Sequence, residues 1–144
     1  MIVRDARSAD VSAVHRLIGQ LVDAPDEGEF RARFERVTAS DGHRIIVAEM
    51  DGRIAGVLHV FARPALEKPY EAVVQALVVD SDARSGGVGD ALMREAEAWA
   101  MSRNLPSATL YSRIDRKRAQ AFYERIGYRV KGTSVRMDRA FGRS

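Results

Sequence analysis

Hydrophobic and polar positions alternate between two periods along this chain. Ile2 to Ala6 reads as a short first strand. Ser8 and Asp10 are residue types that start helices, and Val11, Val14, Leu17, Ile18 and Leu21 then recur at helical spacing. Pro25 is expected to break that helix. A second amphipathic helix follows, with Phe30, Phe34 and Val37 on one face and an acidic start, Asp26, Glu27 and Glu29, that suits the helix dipole. Ile45 to Ala48 reads as a strand, Asp51-Gly52 as a two-residue hairpin turn and Ile54 to Phe61 as the returning strand. Pro64 and Pro69 bracket a loop. Ala72 to Val79 is a long apolar run, the expected centre of a sheet.

A glycine-rich turn, Arg84-Ser85-Gly86-Gly87-Val88-Gly89, then opens a helix carrying Ala91, Leu92, Ala96, Trp99 and Ala100, which Asn104 and Pro106 end. Ala108 to Tyr111 is a further strand. Asp115 is placed to cap a short helix whose apolar face is Ala119, Phe122, Tyr123 and Ile126, and Gly127 is placed to stop it. Val130 to Met137 predicts one or two closing strands around Gly132. The expected order is βααβββαβαβ(β): an α/β protein with a central mixed sheet and helices on both faces. No repeat, low-complexity tract or linker interrupts it, which predicts a single domain over 1–144.

The chain's 144 residues suit one domain. With 46% hydrophobic and 30% charged residues, disorder, coiled coil and collagen are disfavoured. The absence of cysteine removes disulfide scaffolds, zinc ribbons and thiol nucleophiles, and fits the cytoplasm. No apolar run reaches membrane-helix length, and the N-terminus lacks the order of a signal peptide. A net charge of +3 is too small to argue for nucleic acid. Its distribution is uneven: Asp23, Asp26, Glu27 and Glu29 lie close together, as do Arg113, Arg116, Lys117 and Arg118. No aromatic strip for stacking accompanies the basic cluster. Three scattered histidines, His15, His43 and His59, lack metal-site spacing, so no metal is expected.

The strongest chemical signal is the strand Leu77-Val78-Val79 running into Arg84-x-x-Gly87-x-Gly89 and a helix. A helix start leaves N–H groups unpaired and carries partial positive charge, glycines let a backbone approach a phosphate, and Arg84 adds charge. The pattern is neither a Walker A loop nor a dinucleotide fingerprint. A second signal is Ala119-x-x-Phe122-Tyr123-x-x-x-Gly127-Tyr128, which is also compatible with an ordinary amphipathic helix.

Together the two motifs resemble the GNAT superfamily of acetyl-CoA-dependent N-acetyltransferases, and the element order resembles it over nearly the whole chain. The stretches 74–100 and 112–128 look most like small aminoalkylphosphonate- and aminoglycoside-type members. The resemblance implies acetyl-CoA as cosubstrate, a primary amine of a small molecule or peptide as acceptor, and direct attack without a covalent intermediate. It implies a partner list without nucleic acid or membrane, with room for a homodimer. It places the pantetheine arm along Leu77, Val78 and Val79 and the pyrophosphate on the N–H groups of Arg84, Ser85, Gly86, Gly87, Val88 and Gly89. Tyr123 would be the general acid near the thioester sulfur, with Ala119 and Phe122 walling the slot.

Two departures stand out. Relatives often carry Glu where this chain has Ala76, and Asn where it has Arg116, which here becomes a candidate phosphate partner. The first leaves the general base open among Glu49, His59, Glu71, Gln75 and Asp115. Strand alternation puts Glu71 and Gln75 on the face opposite Ala76. The rival reading is an acyl-CoA-binding sensor with weak turnover.

Overall fold

The computed structural model describes residues 1–142, so residues 143 and 144 of the expected 1–144 domain lie outside the described residues. Met1–Tyr111 forms one compact unit, and the chain from Ser112 on forms a second.

In the first unit five strands, β1 (Ile2–Asp5), β2 (His43–Met50), β3 (Arg53–Arg63), β4 (Glu71–Val79) and β5 (Ala108–Leu110), lie side by side in chain order. The first four pair antiparallel and β5 runs parallel to β4, so the sheet is mixed. The middle strand is therefore β3, and the apolar run of β4 lies one place from it. Both strands have helices over both faces, which is why β4 reads as continuously apolar.

One face carries α1 (Val11–Ile18) and α2 (Glu27–Ala39). Val11, Val14 and Leu17 of α1 and Phe30 and Phe34 of α2 pack on Val47, Ile54, Val57 and Val78. The other face carries α3 (Val88–Ser102), whose buried residues are Val88, Leu92, Met93, Ala96 and Ala100. Helix boundaries follow local chemistry. α1 ends at a Gly19 cap, well before Pro25. Asp10 does not cap α1. Its carboxylate turns back to take two hydrogen bonds from Arg4, at 2.8 and 3.1 Å, and one from the Arg7 N–H at 2.7 Å. Asp26 does cap α2, accepting from the Glu29 N–H at 2.9 Å.

The second unit contains α4 (Lys117–Arg125). Arg116 occupies its N-cap position without a side-chain cap bond. Asp115 instead pairs with Arg113 at 2.9 Å, because a neighbouring guanidinium outcompetes the helix N–H groups for it. Gly127, at φ +107°, closes α4, with the Tyr128 N–H reaching back to the Tyr123 carbonyl at 2.9 Å. The closing strands expected over 130–137 do not form. Residues 128–142 carry no strand, and Val130, Val135 and Met137 are exposed. Among the described residues no helix is long and apolar enough to cross a membrane, and no group of three His, Cys, Asp or Glu side chains is placed to hold a metal.

Candidate active site

The site is built around a break in β4. Along the β3–β4 ladder Val60 pairs with Val74, but His59 pairs with Ala76, so Gln75 is an extra, exposed residue. This bulge sits where β5 stops: the β4–β5 ladder runs from Ala72↔Ala108 to Val74↔Leu110 and ends. From Gln75 to Val79 no strand pairs with the outer side of β4. Parallel strands normally continue their ladder; a bulge bends its strand and ends the pairing.

The bulge also decides which backbone groups face the open side. The Ala72 N–H donates to the Ser107 carbonyl on the β5 side at 3.0 Å, whereas the Asp80 N–H donates to the Ala55 carbonyl of β3 at 2.8 Å. Successive residues alternate, so Leu77 and Val79 present their N–H and C=O groups outward. Val78 does not. Its side chain is in the α1–α2 core and its backbone faces β3, so it supports this edge without offering a group to it.

β4 leads directly to the glycine-rich turn. Asp80, 2% exposed, accepts hydrogen bonds from Arg16 at 3.0 Å, Gln20 at 3.4 Å and the Asp82 N–H at 3.3 Å. Burial alone would push its carboxyl up, but these donors hold it below the usual range. It thereby fastens the end of β4 to α1. A 3-10 turn, Ser81–Ala83, follows, and then Arg84 in extended backbone. Ser85 and Gly87 both take left-handed conformations, at φ +73° and +79°. Gly87 is the N-cap of α3 and has no side-chain oxygen to give its first N–H groups. The Gly86 N–H donates within the turn to the Ala83 carbonyl at 3.3 Å. Val88 has a fully buried side chain and offers only its backbone.

Of the candidate bases, most are occupied. Glu71 takes the Arg63 guanidinium at 2.6 Å and the Ser107 hydroxyl at 2.8 Å. The bulge moves it onto the same face as Ala76, opposite to what unbroken alternation predicts. Glu49 lies 3.7 Å from Arg4. Asp115 is paired to Arg113, and Gln75 is the exposed bulge residue. His59 stands directly across the ladder from Ala76 on the α1–α2 face. Burial, and then the nearby His43, hold it down to about 4, so it is neutral at neutral pH.

In the second unit Ala119, Phe122 and Tyr123 are half-buried. The Tyr123 ring meets Phe122 and Tyr128 edge-on at 5.2 and 6.2 Å. Burial pushes its phenol up, against the lowering effect of Arg116.

The site's frame is a five-stranded mixed sheet whose two parallel strands stop pairing at Val74 and Leu110, followed by a helix with glycine at its N-cap. The acetyltransferase (GNAT) family pattern matches residues 13–128, and the chain belongs to that family. It is 28% identical over 100 residues to an uncharacterized N-acetyltransferase of Methanocaldococcus jannaschii, matching 68% of this chain and 44% of that one. The chain spans less than half the length of the curated relatives it matches. Two solved structures share the fold. An aminoglycoside antibiotic 6'-N-acetyltransferase from Acinetobacter haemolyticus superposes with a TM-score of 0.87 at 18% identity, covering 99% of this chain and 100% of that one. An aminoglycoside N-acetyltransferase in complex with CoA gives 0.83 at 14% identity, covering 96% and 99%.

Proposed function

We propose that this protein transfers the acetyl group of acetyl-CoA to a primary amine by direct attack, without a covalent enzyme intermediate. The observation that carries the reading is the open outer side of β4: Leu77 and Val79 aim their backbone groups outward on a strand that ends at an uncapped helix start. An amide-bearing arm such as pantetheine would pair there as an added strand. The pyrophosphate would meet the N–H groups of Ser85, Gly87, Val88 and Gly89, with Arg84 beside it. For the second unit, the family resemblance would give Arg116 a phosphate contact and make Ala119 and Phe122 apolar wall residues.

The residues suit the chemistry. The outward N–H of Val79 is a donor for the oxyanion that forms on attack. A thiol with an ordinary pKa near ~8.5 is a fair leaving group, so one positioned proton donor suffices. Tyr123 fits that role because its raised phenol stays protonated through neutral and mildly alkaline pH. Family membership and a fold neighbour in complex with CoA support the cosubstrate. The test is a panel of primary amines assayed for thiol release from acetyl-CoA. Release with at least one amine is expected. Binding of acetyl-CoA with no release from any amine would leave an acyl-CoA-binding module in place of an enzyme.

A further inference from the structure

His43 and His59 form a directly hydrogen-bonded pair beside the break in β4. Nδ1 of His43 lies 2.9 Å from Nε2 of His59. The rings are 5.2 Å apart at centroid, and His43 also stacks on Phe61 at 4.8 Å and 7°. Two rings fixed in this way have little freedom to turn, so each nitrogen has one task. Register places His59 opposite Ala76, the first paired residue of β4 beyond the bulge. His43 is only half-buried and lines an open hollow at the start of β2, together with Ser40, Asp41 and Arg103.

We propose that His59 takes the proton of the attacking amine and that His43 passes it to solvent. This rests on the acetyl-transfer reading above. The amine lone pair forms the new N–C bond and the thiolate leaves with the C–S electrons. The nitrogen's surplus proton goes to Nδ1 of His59. His59 gives its Nε2 proton to Nδ1 of His43, and His43 gives its Nε2 proton to water. Both rings end neutral with tautomers exchanged, and solvent carries the proton away.

The surroundings of His59 favour its neutral ring. On this face α1 contributes Val11, Val14 and Leu17, and α2 contributes Phe30 and Phe34. The charged residues of α2 are exposed, and His15 and Arg16 of α1 are bonded to the Pro25 carbonyl and to Asp80. Asp41 precedes β2 on the surface. Farther along the same face of the strands the ionisable groups are the paired Arg63 and Glu71 at one end and Arg4 with Glu49 at the other. A neutral imidazole held near about 4 is a weak base, but the amine nitrogen becomes strongly acidic as it bonds to carbon, so a weak base in place suffices.

The test measures kcat and KM across about pH 6 to 9.5, spanning amine deprotonation. The proteins compared are wild type, His59→Ala, His59→Gln, His43→Ala and the double variant His59→Ala with Ala76→Glu. His59→Ala and His59→Gln are expected to lower kcat about 10²-fold or more, leaving KM for acetyl-CoA unchanged. His43→Ala should lose less. Placing a carboxylate on the facing strand should restore at least about tenfold of the lost rate, because it returns a base to the same spot. A packing defect would not be rescued in this way. Full activity in both His59 variants, or loss without recovery in the double variant and a pH profile parallel to wild type, overturns the relay and leaves the acetyl-transfer reading intact. A wild type that binds acetyl-CoA and turns over no amine overturns both.

Discussion

Gly56 of β3 lies directly beneath Val88, the first residue of α3. A β-carbon at Gly56 would stand 2.6 Å from Val88 Cγ1, 2.9 Å from Leu92 Cδ1 and 3.2 Å from the Val78 carbonyl oxygen. The lack of a side chain lets the helix start settle on the sheet at the point where the glycine-rich turn delivers it. Gly56→Ala must therefore move either α3 or β3, since Val88 and Leu92 are fully buried and have no room to turn away. We expect a loss of about 1–3 kcal/mol, as for other overpacked cores. We also expect weakened CoA binding, because the displaced helix start is the proposed phosphate site. Equal denaturant midpoints for Gly56→Ala and wild type would show that the contact relaxes freely.

Much of the architecture was legible in the sequence because its elements follow local rules. The Asp51-Gly52 turn and the Gly127 stop each depend on a few neighbouring residues, whereas Asp10 and Asp115, expected as caps, are drawn to arginines instead. Two β-bulges were not legible, and they set the site. A plain two-residue hairpin at Asp51-Gly52 would put Arg44 opposite His59. The irregularity between Ala48 and Glu49 shifts the register by one, so that Ile45 faces His59 and His43 faces Phe61, bringing both imidazoles to one face. The second bulge, at Gln75, turns Ala76 to face His59 and reverses the side on which Glu71 lies. No residue type announces either bulge. Alternation over 130–137 names no pairing partner, and no strand forms there.

Gly87 tests the phosphate assignment. At φ +79° it sits where a side chain is strained, and a β-carbon there would point into open space. Gly87→Val should thus cost stability through backbone strain, about 1–2 kcal/mol, while crowding whatever docks at the helix start. Gly42, at φ +77° at the start of β2 with neighbours no nearer than 3.8 Å, is the matched control. Gly42→Ala should show strain but normal CoA affinity by calorimetry; Gly87→Val should lose measurable CoA affinity. Unchanged affinity in Gly87→Val would remove residues 84–89 from the cosubstrate site.

Tyr123→Phe keeps the ring that meets Phe122 and Tyr128 and removes only the hydroxyl. If that hydroxyl protonates the departing thiolate, kcat should fall about 10²-fold with KM for acetyl-CoA nearly unchanged. Burial raises the phenol and the Arg116 charge pulls it back, so Arg116→Ala should raise it further. Any alkaline limb of the rate profile that belongs to Tyr123 should then move to higher pH. A rate in Tyr123→Phe equal to wild type would leave the tyrosine as a packing residue.

His59 also couples folding to pH. In the unfolded chain its imidazole has an ordinary pKa near ~6.5, whereas burial, with the help of His43, holds it at about 4 in the fold. The folded state thus binds fewer protons than the unfolded state between these values, and stability must rise with pH across that window. The contribution is complete above about 6.5 and is lost as pH falls towards 4; its upper bound is about 3.4 kcal/mol, and solvent screening of the partly exposed ring makes it smaller. Asp10 and Asp80 act lower on the scale, because their partners hold them below the ordinary carboxylate value, and their contribution is lost only as pH falls further. Between pH 4 and 6.5 the histidine therefore dominates. Urea midpoints measured in steps over this window should fall more steeply with acid for wild type than for His59→Gln, which cannot titrate. Parallel curves would mean that the imidazole accepts its proton inside the fold as readily as outside it.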